Sequence, residues 1–192
     1  MERFERERSL HIRELKRISN EDNSKFNDFP TLHENYVVLN LLGKGGFSEV
    51  FKAFDLNQQI YVAVKIHHLN KDWSDQKKLD YSRHANRECE IQMRIDHPRI
   101  VKLFDTFEID MNTFCTVMEY CEGHDLDHWL KDHKTISEKE ARSVVMQTVS
   151  ALKYLNQMEQ PVIHYDLKPG NILLCADCIL NFFKKSLLFS AE

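Results

Sequence analysis

The sequence predicts an α+β fold in which a strand-rich part comes first and a mainly helical part follows. Three observations point there. Between Tyr36 and Tyr120 most apolar residues fall in short β-prone runs broken by polar turns, with one helical stretch among them. The turn "GKGGFS" stands between two such runs, "YVVLNLL" and "EVFKAF", and the run that follows its glycines is β-prone rather than the start of a helix. From Asp125 onward the spacing turns helical, and Ser137 with Glu140 forms a capping box that opens a long helix.

Composition narrows the function. At 42% hydrophobic the 192 residues can bury a real core, so a globular chain is expected. A formal net charge of −4 argues against a dedicated nucleic-acid binder, which would show a basic face. No apolar segment follows Met1, so no secretory signal is expected. The apolar stretch from Ile179 to Phe189 is broken by Asn181, Lys184 and Lys185 and is too short to span a bilayer. Five cysteines without a signal peptide imply free thiols in a reducing compartment. Cys175 and Cys178 form a CxxC pair, but a second pair at zinc spacing is absent. His124 and His128 lie one helical turn apart and read as solvent-facing residues rather than a metal grip.

In chain order, residues 1–24 read as a densely charged helix whose apolar stripe is only Ile12, Leu15 and Ile18. That is a solvated helix, at most the end of a coiled-coil region, because too few heptads are present to argue more. Residues 25–35 read as a linker in which Pro30 breaks any helix. Strands follow at "YVVLNLL", "FKAF" and "IYVAVKI", then a helix around Ser82 to Ile95 that "DHP" ends. "RIVKLFDTFEI" and "FCTVMEY" form a further strand pair, and Asp125 can cap the short helix "LDHWLK". The helix opened by Ser137 is expected to present Ala141, Val144, Val145, Thr148, Leu152 and Leu155 as its apolar face.

Gly43, Gly45 and Gly46 form a glycine-rich turn that, alone, reads as a tight hairpin. Lying between two strands rather than opening a helix, it suits a flap over nucleotide phosphates, where backbone N–H groups need close approach. Lys65 ends "VAVK" on a strand expected to alternate toward a core, and an inward lysine needs an anionic partner. Glu88 is the candidate carboxylate, because it shares a helix face with Ile91 and Ile95. Glu90, turned about 200° away at about 100° per residue, should face solvent. In "VMEYCEG" the backbone of Glu119 and Cys121 could bond an adenine edge, with Asp125 near a ribose. The most specific signal is "HYDLKPGN". Phosphoryl transfer to a hydroxyl needs a carboxylate for its proton, a cation near the γ-phosphate and metal ligands. Asp166, Lys168 and Asn171 supply the first, the second and one metal ligand.

With these motifs in this order, the chain resembles a serine/threonine protein kinase, lysine two residues after the catalytic aspartate being the pattern of that class. "HIRELKRI", "LLGKGGFSEVFKAFDL", "DHPRIVKL", "FCTVMEYCEG" and "HYDLKPGN" resemble the Tousled-like kinases from about His11 to Leu174. The resemblance implies a protein-kinase-like fold: a small lobe at 36–118, a hinge at 119–124 and the first part of the large lobe at 125–174. It implies ATP and Mg2+ as cofactors, with Leu42, Gly43, Gly45, Gly46, Val50, Ala63, Lys65, Glu88, Glu119, Cys121 and Asp125 on the ATP side. It also implies a nuclear enzyme acting on histone chaperones and dimerising through an upstream coiled coil outside this chain. Direct contact with nucleic acid or membrane is not expected.

After Leu174 the resemblance stops. A kinase continues into Asp-Phe-Gly, whose aspartate binds magnesium. Residues 175–192 read instead as a non-kinase tail, expected from a truncated or alternatively spliced reading frame. The closest echo of the missing motif is Asn181-Phe182-Phe183, where asparagine would be a doubtful metal ligand. Two functions follow: a kinase by family that is inactive as this chain alone, or a non-catalytic ATP-binding or interaction module that competes with the intact kinase.

Overall fold

The computed structural model describes residues 2–175 and 181–182 of the chain. Its elements run α1 (Glu2–Asp22), β1 (Thr31–Leu32), β2 (Tyr36–Lys44), β3 (Ser48–Asp55), β4 (Ile60–His68), α2 (Asp75–Met93), β5 (Leu103–Asp110) and β6 (Thr113–Glu119). There follow β7 (Gly123–Asp125), α3 (Leu126–His133), α4 (Glu138–Asn156), a 3-10 turn at Pro169–Asn171, β8 (Ile172–Cys175) and β9 (Asn181–Phe182). The chain divides into two compact units: Met1–Ser82 with Leu103–Tyr120, and Arg83–Lys102 with the residues from Cys121 onward.

The first unit is an antiparallel sheet in the order β1-β2-β3-β4-β6-β5. Alternation along β3 and β4 makes it two-faced. On β3 Phe51 and Ala53, on β4 Val62, Val64 and Ile66, and on β6 Cys115 and Val117 point one way and are fully buried. Val50, Ala63 and Met118 alternate with them on the other face and are only half-buried. The core face is roofed by the stretch read as a linker. Phe26 meets Phe51 edge-on at 6.1 Å, Leu32 is buried, and β1 pairs with β2. Residues 25–35 therefore belong to the folded unit, because Phe26 and Leu32 among them complete its core. α1 leaves Ile12, Leu15 and Ile18 exposed, the stripe of a solvated helix.

The second unit gathers Ile95, Ile100, Leu126, Val144, Ala151, Leu155, Val162 and Ile172 into a separate core, with Ile91 packed against it. Here the structure departs from the expected lobe boundary. Residues 83–102 lie inside the 36–118 segment, yet Ile91, Ile95 and Ile100 draw them into the second unit. The turn after α2 is fixed there too, since the Tyr154 hydroxyl accepts a hydrogen bond from the Asp96 N–H at 3.0 Å. α4 opens with the expected capping box of Ser137 and Glu140. Its buried face is narrower than the sequence suggested. Val144, Ala151 and Leu155 are buried, whereas Val145 is 58% exposed. The stripe follows spacings of seven and four, and Val145, about 100° round the helix from Val144, falls off its edge. Among the described residues no helix is long and apolar enough to cross a membrane.

Candidate active site

The flap between β2 and β3 is a hairpin in which Gly43 pairs with Val50 and Lys44 with Glu49. The Gly45 N–H donates to the Ser48 carbonyl at 2.7 Å and closes the turn. A Cβ added at Gly43 or Gly46 would meet no atom among the described residues within 4 Å, and one at Gly45 would make only ordinary contact with the Ser48 hydroxyl at 3.4 Å and its carbonyl oxygen at 3.6 Å. Packing within the fold does not demand these glycines, which leaves close approach by a ligand as their physical use. Leu42 is exposed at the flap's entry.

Lys65 stands on β4 across from Val50 on one side and Thr116 on the other. It was expected at an inward position, but the inward residues of β4 are Val62, Val64 and Ile66. Lys65 lies on the opposite face with Ala63 and Val50, half-buried. That face, opposite the packed core, sets the lysine beside Val50, Ala63 and Thr116. Glu88 is half-buried on α2 and Glu90 exposed, as their spacing required; Glu88 falls in the second unit.

Glu119 ends β6, paired with Val62. The neighbouring Tyr120 ring is held by the Lys52 ammonium, 4.6 Å from its centroid and 4.1 Å from that of Tyr61. Cys121 follows, half-buried. Gly123 has φ +148°, and a Cβ there would lie 1.9 Å from the Leu174 carbonyl oxygen, so this glycine serves the fold itself. Asp125 caps α3 by accepting the His128 N–H at 2.8 Å, so its carboxylate has a structural role. His124 and His128 place their rings 4.4 Å apart, and His128 Nε2 lies 3.3 Å from Asp132. Among the described residues no group of three or more His, Cys, Asp or Glu could hold a metal ion. Cys178 lies outside the described residues.

The catalytic-loop candidates converge within the second unit. Both carboxylate oxygens of Asp166 are engaged: Lys168 Nζ is 2.8 Å from Oδ1, and Asn171 Nδ2 donates to Oδ2 at 3.0 Å. The same amide nitrogen donates to the Asp166 carbonyl at 2.6 Å. The Asp166 N–H donates to His164 Nδ1 at 3.2 Å. Burial pushes the His164 imidazole down from its ordinary value, which keeps that nitrogen a neutral acceptor. Asn171, 3% exposed, spends its N–H groups on Asp166, so its amide oxygen is the atom left to serve as a metal ligand. A single amide oxygen fits half of what a kinase magnesium site needs. The only acids between Ile172 and Glu192 are Asp177 and Glu192 itself. The backbone of Asn181 pairs with Leu173; its side chain lies outside the described residues.

One residue at the flap was missed. Glu49 is 5% exposed and binds Lys44 Nζ at 2.8 Å, the Ser24 hydroxyl at 3.1 Å and His68 Nε2 at 3.4 Å. Burial alone would raise its pKa, but the hydrogen bonds from Lys44, Ser24 and His68 more than offset that and hold the carboxyl below its usual range. The signal was available: Glu49 has the parity of Phe51 and Ala53, and a carboxylate facing a core requires cations.

Residues 36–180 match the protein kinase domain family. The chain is 67% identical over 174 residues to the serine/threonine-protein kinase tousled-like 2 of Mus musculus, covering 91% of this chain and 24% of that protein. It is 68% identical to the human serine/threonine-protein kinase tousled-like 1, covering 91% and 23%. It is 58% identical to the serine/threonine-protein kinase TOUSLED of Arabidopsis thaliana, covering 90% and 25%. The chain thus spans about a quarter of the length of these relatives. A glycine flap with no packing reason for its glycines, a lysine on the sheet face opposite the core and an aspartate locked between Lys168 and Asn171 agree with that likeness. The chain belongs to the protein kinase family, as a homologue of the Tousled-like serine/threonine kinases.

Proposed function

We propose that this chain carries the ATP-binding flap and the phosphoryl-transfer loop of a kinase that phosphorylates protein serine or threonine hydroxyls. The observation that carries the reading is the Asp166 loop. A hydroxyl attacking phosphorus must pass its proton to a positioned carboxylate. Asp166 is such a group, fixed by Asn171 on one oxygen and neutralised by Lys168 on the other. Lys168 also supplies the cation that steadies charge on the transferred group. On the first unit, flap N–H groups and Lys65 take the phosphates. The backbone at Glu119 and Cys121 takes the adenine. Magnesium, when bound, neutralises triphosphate charge, and Asn171 would hold it through its amide oxygen.

The family resemblance supports further assignments: histone chaperones as substrates, a nuclear location, and dimerisation through an upstream coiled coil. A second reading, an ATP-binding module without transfer activity, is favoured by the neutral Asn181 that stands at the closest echo of Asp-Phe-Gly. Isothermal titration of MgATP against the 192-residue chain tests the nucleotide site. Lys65→Met is expected to weaken binding at least about tenfold, the loss of a charge-assisted contact. Undiminished affinity in that variant would remove Lys65 from the phosphate site.

A further inference from the structure

We propose that Arg17 and Glu21 on α1 are positioning residues for the glycine flap, so that the N-terminal helix sets nucleotide affinity without touching the nucleotide. This rests on the assignment of the flap to ATP phosphates. The helix engages β2 at a defined irregularity. Pairing of β2 with β3 shifts register between Val38 and Leu41 and again between Leu41 and Gly43, and at such bulges a backbone group loses its regular ladder partner. At Leu41 the partners come from α1. The Leu41 N–H donates to Glu21 Oε1 at 3.0 Å, and Arg17 Nη1 donates to the Leu41 carbonyl at 3.4 Å.

The gripping pair is itself braced. Arg17 donates to Glu21 Oε2 at 2.7 Å and to Glu14 at 2.8 Å, so the guanidinium lies between two carboxylates and is held in one orientation. The point it holds is rigid as well, because the Leu41 side chain is 1% exposed in the core. Leu42 and Gly43 then lead straight into the flap. A second grip lies on the other strand. Ser24, just beyond the end of α1, donates from its hydroxyl to Glu49, and the same carboxylate binds Lys44 across the mouth of the hairpin. Leu41 on β2 and Glu49 on β3 are therefore both anchored to α1 and the turn after it. The flap tip beyond them leaves open space at Gly43 and Gly46 and is tied at Phe47, whose carbonyl accepts the His68 N–H at 2.9 Å and whose ring lies 6.0 Å from that of Trp73. Its height over a phosphate is set by its base, and a shift of about 1 Å there is enough to matter.

The experiment uses the full 192-residue chain as wild type, Glu21→Ala, Arg17→Ala, the conservative Glu21→Gln and, as control, Lys16→Ala on the exposed side of α1. MgATP and adenosine affinities are measured by calorimetry, and amide exchange at residues 42–48 by mass spectrometry. Adenosine has no phosphates and does not report on the flap. Glu21→Ala and Arg17→Ala are expected to raise the Kd for ATP about tenfold, the size of one lost charge-assisted bond, while adenosine affinity holds within about twofold. Exchange at 42–48 should quicken. Glu21→Gln, which keeps an acceptor for the Leu41 N–H, should lose less. Unchanged ATP affinity overturns the proposal, and so does an equal loss for ATP and adenosine, which would mark α1 as a mere prop for the whole unit. If wild type binds no ATP, the nucleotide assignment fails separately. Exchange at 42–48 then decides alone: quickening confined to the flap sustains the positioning role, and unchanged exchange ends it.

Discussion

Two glycines of this chain differ in what requires them. At Gly123 the fold does: a methyl group would collide with the Leu174 carbonyl, and φ +148° is strained for any side chain. Gly123→Ala should cost about 2 kcal/mol or more, read as a lowered urea midpoint. At Gly43 the space is open, so Gly43→Ala should leave stability within about 0.5 kcal/mol yet weaken ATP binding. Equal stability losses at both positions would contradict this division. A third residue makes the first unit sensitive to acid. His67 stacks on Phe114 at 4.4 Å, and burial, aided by the charges of Lys65 and His68, pushes its pKa from 6.5 down to about 3. A folded pKa below the unfolded one means this histidine contributes stability above pH 6.5 that is lost progressively as pH falls toward 3. His67→Phe keeps the stacking and removes the proton uptake, so stability should fall less between pH 7 and pH 5 than in wild type. Residues with local partners were legible in the sequence, because His164, Asp166, Lys168 and Asn171 tie one another within a single loop. Glu21 was not, since its partner at Leu41 is set by where α1 docks.

Among elements, α4 shows how far periodicity carries. Its start was legible to the residue, because a capping box is a local chemical arrangement: Ser137 accepts the Glu140 N–H, and the Glu140 side chain returns to the Ser137 N–H. Ser137→Ala should cost about 1 kcal/mol of helix stability. Its buried face was only half legible. A 3.6-residue period allows several adjacent stripes, and which one is buried depends on partners such as Ile95 and Ile100 from outside the helix. The neighbouring valines test that point. Val144→Ala should destabilise by roughly 1–3 kcal/mol and Val145→Ala by less than about 0.5 in chemical unfolding. Comparable losses would mean that the wider face read from the sequence is buried in solution. The supposed linker at 25–35 makes the same point in reverse. Its polar composition concealed Phe26 and Leu32, two apolar side chains that the sheet could not do without.

At the scale of the whole molecule, the order of motifs was legible because each is short and chemically specific. The division into units was not, because it depends on the destination of the apolar face of α2. What the 192-residue polypeptide can catalyse is decided by charge. ATP brings a polyanion whose transfer is almost entirely an electrostatic problem, solved in kinases by metal ions held between an asparagine and an aspartate. Here Asn171 is in place, buried and oriented by Asp166. Asp177 comes only six residues after Asn171, too early to follow a returning strand, and Asn181 is neutral. An amide oxygen can ligate magnesium but cancels no charge, so the transition state would lack the stabilisation that dominates such reactions. We therefore predict that purified residues 1–192 bind ATP yet transfer no phosphoryl group to a protein substrate above the level of Asp166→Asn, measured with radiolabelled ATP. Transfer above that control would show that a group within this chain completes the metal site. If such activity also vanished in Asn181→Ala, Asn181 would be that group; if it survived there and fell in Asp177→Asn, Asp177 would be the missing acid.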